Sequence, residues 1–399
     1  MQKSSLALFF LVMFAIGTDT FLISPLLPIL RHEFHVSTAS SGWMVSAYAL
    51  GYALFALVAG PVSDRLNRKH VMVFGMAAFS ISTGLCAAAT GFWSMVLFRF
   101  LAGVSAAVIS PQIWASIPIL LSKDKILQGM GIATAGLSIA QMVGLPLGSF
   151  FAARNWSLPF IILGLFSLLL TLLLLFLLPS LPPRSPSGNR LSLLKPYFGL
   201  LSSRIAVTAF AAYFIFQIGN FAAFSFLGSW LSGAFGMNVA QIGQVMLYLG
   251  VGNLLGSLFG SRLSTRFGRT ATLLLGIAVN SVMYPVLSLT HNLAGIKAEL
   301  LVIFGITGIL FPIMISILQS LTDTARGTVS ALTNALMYLG TTIGAAAAGG
   351  IYQTSGVFIG VTLLTSLCFI ISIFLFRKND AYGSVDRSNF STSTIENKQ

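Results

Sequence analysis

Twelve apolar stretches dominate the chain, at residues 6–30, 39–62, 71–90, 93–115, 129–152, 158–178, 205–230, 239–261, 270–289, 298–320, 328–350 and 356–376, each bounded by charges or turn residues. A helix crossing the hydrocarbon of a bilayer needs about 20 such residues, so each stretch is long enough to span. Only 8% of the 399 residues are charged, against about 25% in a soluble domain, and a water-facing surface cannot be built from that supply. The first stretch contains Asp19 and is longer than the apolar core of a cleaved signal, so it reads as the first span. The expectation is an all-α integral membrane protein of twelve transmembrane helices, multi-pass in the cell membrane.

The net charge of +13 would suit a nucleic-acid binder only if the bases clustered on one face. Here they sit between apolar stretches, which makes them a topology signal and excludes nucleic acid as the expected partner. With the N-terminus inside, all Lys and Arg residues except Arg31, Arg154, Lys297 and the intrahelical Arg99 fall on the cytoplasmic side, as the positive-inside rule requires. Both termini are therefore expected in the cytoplasm. Cys86 and Cys368 lie within apolar runs and read as small buried hydrophobes. No phosphate-binding G-x-x-x-x-G-K-S/T and no zinc-binding H-E-x-x-H occurs, and the four His residues (His32, His35, His70 and His291) are read as loop residues. Neither a cofactor, a metal nor an enzymatic activity is expected.

Residues 179–196 (PSLPPRSPSGNRLSLLKP) form the one long Pro- and Ser-rich connection and divide the helices six and six. Short repeats support the division: FAIGT at 14–18 recurs as FQIGN at 216–220, and DRLNRKH at 64–70 as TRFGRTA at 265–271. The expected organisation is an N-terminal six-helix bundle (1–178), a cytoplasmic linker (179–204), a C-terminal six-helix bundle (205–376) and a disordered cytoplasmic tail (377–399). Two parallel copies imply a pseudo-twofold axis along the membrane normal, with a substrate site between the halves.

Asp19 is read as the only acidic residue well inside a predicted helix. A carboxylate at the bilayer centre costs about 2.5–3.5 kcal/mol even on the lenient insertion scale, and a group that sheds its charge reversibly suits a proton carrier. The bland alternative is a buried acid that only pairs with a neighbour. Arg99 is the one basic residue within a predicted helix. Counting about 1.5 Å per residue, its depth and that of Asp19 differ by about one helical turn, so the two can pair. Arginine does not deprotonate, and would act as a fixed charge favouring the carboxylate until substrate or proton intervenes. A static helix clamp is the competing account. Repeat matching sets Phe221 opposite Asp19 and Gly305 opposite Arg99, so coupling is expected in the N-terminal bundle.

The loop GPVSDRLNRKH, residues 60–70, places an acid at a helix end and bases just beyond it. It resembles the signature between the second and third helices of the major facilitator superfamily, with Asn67 where the family has Gly. Asn tolerates a left-handed backbone, which the turn is expected to need. The resemblance implies that Gly60, Asp64, Arg65 and Arg68 close a cytoplasmic gate. VLFRFLAGVSAA (96–107) resembles the fourth-helix motif of the drug:proton antiporter branch, and in this sense Arg99 looks like a proton-relay residue with Asp19. GLSIAQMVGLPLGSFF (136–151) is similar to that branch's helix-five motif at Gly144, Pro146 and Gly148, with part of the glycine spacing missing. IGTDTFLISPLLPIL (16–30) resembles the first helix of sugar, purine and multidrug efflux permeases.

Candidate cavity residues are the polar and aromatic side chains near mid-helix: Tyr48 and Tyr52 on one face, then Gln112, Gln141, Gln217, Asn220, Asn253, Asn334 and Tyr338. Interhelical hydrogen bonding explains several of them equally well. The leading expectation is a monomeric secondary transporter exchanging protons for small amphipathic molecules. Its alternatives are a facilitator or importer of a sugar or nucleoside and, from another class, a non-transporting sensor or scaffold.

Overall fold

A computed structural model describes residues 2–63, 66–122, 125–181, 195–322 and 326–378. Within these the chain is helical: α1 (Gln2–Glu33), α2 (Thr38–Ser63), α3 (Arg68–Ala87), α4 (Phe92–Leu120), α5 (Ile126–Ile139), a π turn (Ala140–Gly144), α6 (Leu145–Ala152), α7 (Leu158–Leu177), α8 (Lys195–Leu201), α9 (Arg204–Phe235), α10 (Val239–Phe267), α11 (Arg269–Leu289), α12 (Leu293–Gln319), α13 (Arg326–Ser355) and α14 (Ile359–Arg377). With α5, the π turn and α6 taken as one rod, twelve helices are long and apolar enough to cross a membrane. The large side chains left outside are those a bilayer accepts, such as Phe74, Trp93 and Phe176.

Helix ends sit where polar side chains satisfy the first free N–H groups. Ser203, Asn238 and Asn292 accept such bonds at the starts of α9, α10 and α12. Gly236, with φ of 62°, terminates α9 in the left-handed region. The cap at Asn292 starts α12 five residues earlier than the apolar run at 298 suggests. Glu299 therefore lies about 9 Å inside that helix, and Asp19 is not the only acid within a span. Glu299 Oε1 accepts a bond of 2.7 Å from the Thr290 hydroxyl. The fourth, seventh and eleventh spans also run beyond the expected ends at 115, 230 and 350, to Leu120, Phe235 and Ser355, because mixed polar turns prolong each helix past its apolar stretch.

Each half pairs its helices in the same pattern: α2 with α4 and α10 with α12, α3 with α7 and α11 with α14, α1 with α5 and α9 with α13. The halves meet through α2 on α13, α5 and α6 on α10, and α1 on α9. Glycine at the contacts lets backbones approach, as expected where lipid offers no hydrophobic drive between helices. A side chain at Gly51 would strike the Phe100 carbonyl of α4, and one at Gly252 the Leu301 carbonyl of α12. Gly252, Gly256 and Gly260 all face α12, which is plain helix packing within the second half.

Two further expectations change, at Asn67 and at two of the histidines. Asn67 is not left-handed: it has φ −66° and ψ 116° and caps α3. Its Oδ1 accepts from Lys69 N and Leu181 N, and its Nδ2 donates to Ser180 Oγ at 2.7 Å, so Asn here ties the end of α7 to the start of α3. The interval 179–204 contains a helix, α8, whose Tyr197 donates to Leu57 O of α2 at 3.1 Å. Burial raises the Tyr197 phenol above the ordinary tyrosine value, which keeps it a donor. His32 and His70 belong to the last turn of α1 and the first turn of α3 rather than to loops. Most of the interval 179–196 and all of the tail beyond 378 lie outside the described residues.

Candidate functional site

Asp19 sits midway along α1 and Arg99 two turns into α4, and their side chains are 0% and 1% exposed. Arg99 Nη1 donates to Asp19 Oδ2 at 2.7 Å, and Nη2 to the Asp19 carbonyl at 3.2 Å. The guanidinium lies over the Tyr48 ring, 4.5 Å from its centroid, where the ring quadrupole attracts a cation. Thr20 Oγ1 donates to Ile16 O at 2.8 Å and lies 3.1 Å from Tyr48 OH. Since that hydroxyl proton is already committed, the phenol is the donor in the second contact. α1, α2 and α4 thereby fix one ion pair on one aromatic ring.

The bridge is made at a single carboxylate oxygen. Asp19 Oδ1 and Arg99 Nε find no hydrogen-bond partner among the described residues. Oδ1 therefore keeps its lone pairs unused. Removing either partner of such a buried pair would cost about 3–5 kcal/mol, because the other charge is stranded.

Tyrosines beside the pair reach the second half. Tyr338 of α13 stacks on Tyr52 of α2, with centroids 3.7 Å apart and planes inclined by 23°, and its ring lies 6.3 Å from that of Tyr48. Further along the same seam Ser46 Oγ donates to Thr342 O at 2.8 Å, and Ala39 N to Gln353 Oε1 at 2.8 Å. Between α1 and α9, Ser24 Oγ donates to Phe224 O at 2.5 Å. Between the π turn and α10, Asn253 Nδ2 donates to Gln141 Oε1 at 2.5 Å. These seam contacts occupy the part of the helices farther from the N-terminus. Toward the N-terminal face, Thr134 of α5 and Ser257 of α10 are exposed, so the facing stripes of α5 and α10 part beyond Gln141 and Asn253.

The helix-five residues act through shape. Gly136, Ala140, Gly144 and Gly148 recur every four residues and pack against Phe10, Gly17, Thr18 and Leu22 of α1. Ala140 is the one member of this row that is not glycine. Pro146 lacks an N–H and cannot serve the carbonyl of Met142. The rod adjusts by a π turn, with Leu145 N donating to Ala140 O. Backbone atoms of Gln141 and Met142 in that turn lie against Gly250 of α10.

Of the other cavity candidates, Gln217 (1% exposed) lies on α9 against Gly340 of α13, and Asn220 is buried one turn further on. Asn334 is half-buried on α13. Gln112 is buried on α4, but about 20 Å along the helix from Arg99, and does not join the ion pair. Of the gate residues, Gly60 falls in the last turn of α2, Arg68 opens α3 and is buried, and Asp64 and Arg65 lie outside the described residues. The sequence reading missed Thr20 and Tyr213. Tyr213 stands four residues before Gln217, a spacing that puts both on one helix face, and Thr20 directly follows the acid. Among the described residues no three His, Cys, Asp or Glu side chains gather as metal ligands.

The sequence profile of the major facilitator superfamily matches residues 9–227 and again 209–395. The MFS-type transporter YceJ of Bacillus subtilis is 52% identical over 370 residues, 93% of this chain and 95% of that protein. Multidrug resistance protein 1 of Bacillus subtilis is 23% identical, covering 83% of this chain and 85% of that protein. Among solved structures, that of the nucleoside transporter NupG (D323A mutant) superposes with a TM-score of 0.79 at 15% identity, covering 94% of this chain and 99% of that one.

Proposed function

The chain belongs to the major facilitator superfamily of membrane transporters, and from that premise we propose that it is a proton-coupled exporter of small amphipathic molecules. The carrying observation is the solvent-free Asp19–Arg99 pair, bonded through one carboxylate oxygen and joined by Tyr48 to the seam between the halves. Protonation of Asp19 neutralises the acid and frees Arg99 from its anchor, while deprotonation restores the bridge. A group that changes its contacts on α1, α2 and α4 in this way can bias a two-state equilibrium of the halves. In this reading 1–178 and 205–376 rock against one another, 179–204 links them and 377–399 is a tail. In this reading the N-terminus is cytoplasmic, which the distribution of basic loops supports, and the closed seam then faces outward. Gly60, Asp64, Arg65 and Arg68 form the gate of the opposite state, and Gly144, Pro146 and Gly148 keep the α1–α5 contact pliant. Similarity to a multidrug resistance protein supports export of drug-like solutes.

The test is Asp19→Asn in inside-out vesicles carrying a pH dye. Proton movement on adding a transported solute should fall at least about tenfold while the protein remains folded, the removal of a titrating group being worth that much or more. Unchanged flux with unchanged pH dependence would refute coupling at Asp19. Counterflow that is insensitive to a pH gradient would instead favour facilitated passage of a sugar or nucleoside, with the ion pair as a static clamp.

A further inference from the structure

We propose that Tyr52 and Tyr338 form a clamp for the substrate, and that the substrate class is a planar aromatic molecule without net charge that carries hydrogen-bonding groups at its edge. The proposal rests on the transport reading above and narrows it to a ligand chemistry.

The two rings come from opposite halves, α2 and α13, and meet face to face at 3.7 Å. Any movement that parts the halves on this side also parts the rings and bares two parallel aromatic faces. A flat ring system inserted between them recovers both stacking contacts at once, which an aliphatic or globular solute cannot do. Tyr48 is unavailable for this role because its face already carries the Arg99 guanidinium.

Charge sets the second limit. Among the described residues the only buried charged side chains are Asp19, Arg68 and Arg99. Arg68 lies at the start of α3, far from the clamp, and Asp19 and Arg99 neutralise each other. While the Asp19–Arg99 bridge stands, a cation or anion entering beside the tyrosines meets no free counter-charge, and a buried unpaired charge is penalised heavily.

Polar groups beside the clamp set the third. Tyr213 and Gln217 lie on α9, which packs through Gln217 on Gly340 of α13, two residues beyond Tyr338. Tyr213 OH and Gln217 Nε2 are buried and find no hydrogen-bond partner among the described residues. Buried donors and acceptors need partners, and the edge of a heteroaromatic ring supplies both kinds. At the counterpart seam, α10 on the rod of α5, the π turn and α6, an amide pair, Asn253 with Gln141 of the π turn, occupies the corresponding contact. The aromatic clamp is therefore not demanded by closure of the halves.

The experiment measures equilibrium binding to the full-length protein in lipid nanodiscs, against empty nanodiscs, without a pH gradient. Three probes are compared: acridone (planar, neutral), 10-methylacridinium (planar, cationic) and perhydroanthracenone (neutral, saturated), the last by competition. Acridone should bind at least about tenfold more tightly than either of the others, about 1.4 kcal/mol. Tyr338→Leu should weaken acridone by a similar factor, and Tyr338→Phe, which keeps the ring, by less than about threefold. The clamp is overturned if the cation or the saturated ketone binds as well as acridone in the wild type, a comparison that needs no variant to fold. It is also overturned if a folded Tyr338→Leu protein, judged by its thermal midpoint, retains wild-type acridone affinity. Asp19→Asn serves as the control on the broader reading. Should it leave proton flux intact while acridone selectivity holds, coupling at Asp19 fails and the clamp stands. If selectivity is absent while Asp19→Asn abolishes proton flux, the clamp fails and coupling stands.

Discussion

The two halves solve the same packing problem with different chemistry at one depth. Counted from the first residue of each helix, Asp19 of α1 corresponds to Phe221 of α9, Tyr48 of α2 to Leu249 of α10, and Arg99 of α4 to Leu300 of α12. The helix contacts around them are alike: Gly51 abuts the Phe100 carbonyl in one half, and Gly252 the Leu301 carbonyl in the other. Leu249 and Leu300 are fully buried, so the second half fills with two leucines and the half-buried ring of Phe221 what the first fills with an ion pair on a phenol ring. The fold evidently closes without charge at this depth. What the first half adds is a titratable group whose burial must be offset by its partner, and that asymmetry is the strongest argument that the pair is there to respond rather than to hold helices together.

The sharpest way to break the comparison is to make the first half resemble the second. Arg99→Leu alone strands the Asp19 carboxylate and should cost about 3–5 kcal/mol of stability. The double variant Asp19→Leu/Arg99→Leu removes both charges and should regain most of that loss, because a well-packed apolar pair commonly matches a buried ion pair. Proton-linked transport should drop to background in both. Denaturation in detergent and vesicle flux measure the two quantities separately. A double variant no more stable than Arg99→Leu would mean that the first half needs its charges to pack, and the static account of the ion pair would then replace the functional one.

The twelve helices and the membership of Asp19 and Arg99 in one pair were readable from the chain, because both follow from local quantities. A span is announced by its apolar length, and a charge in oil is expensive enough to demand a partner at similar depth. Register between the halves was misread at Arg99. Sequence matching set Gly305 opposite it, whereas equal distance from the helix starts gives Leu300 and sets Gly305 opposite Val104; the short repeats at 14–18 and 64–70, offset by 202 and 201 residues, already pointed to Leu300 or Leu301. The seam was hidden. Tyr52, Tyr338, Gln141 and Asn253 all stood out as polar side chains in apolar runs, but which would meet depends on how α2 and α13, or α5 and α10, are laid together. The start of α12 escaped because its signal is one capping side chain, Asn292, rather than an apolar run. The π turn escaped because Pro146 announces a disturbance without specifying its form.

A smaller effect tests whether the scaffold is truly shared. Gly51→Ala and Gly252→Ala each drive a methyl group into a neighbouring carbonyl, which should cost about 1–3 kcal/mol through displacement of the paired helix. The two losses should be similar, since the two contacts are alike. In the first half the displaced α4 also carries Arg99, so Gly51→Ala should disturb proton flux more than Gly252→Ala does at equal loss of stability. Equal damage to flux would show that the halves contribute to coupling alike.

The smallest effect isolates the phenol that the second half replaces with Leu249. Tyr48→Phe keeps the ring beneath Arg99 but removes the hydroxyl that meets Thr20, a hydrogen bond worth about 0.5–1.5 kcal/mol. Stability should fall by that amount or less, since Thr20 retains its bond to Ile16 O. If Tyr48 merely fills space, as Leu249 does, the pH profile of transport should be unmoved. If it holds the guanidinium in register with Oδ2, the looser ring should shift that profile while Tyr48→Leu, which also discards the cation–π contact, shifts it further in the same direction. A graded series would assign Tyr48 to positioning the charge pair, and a flat one would return it to packing.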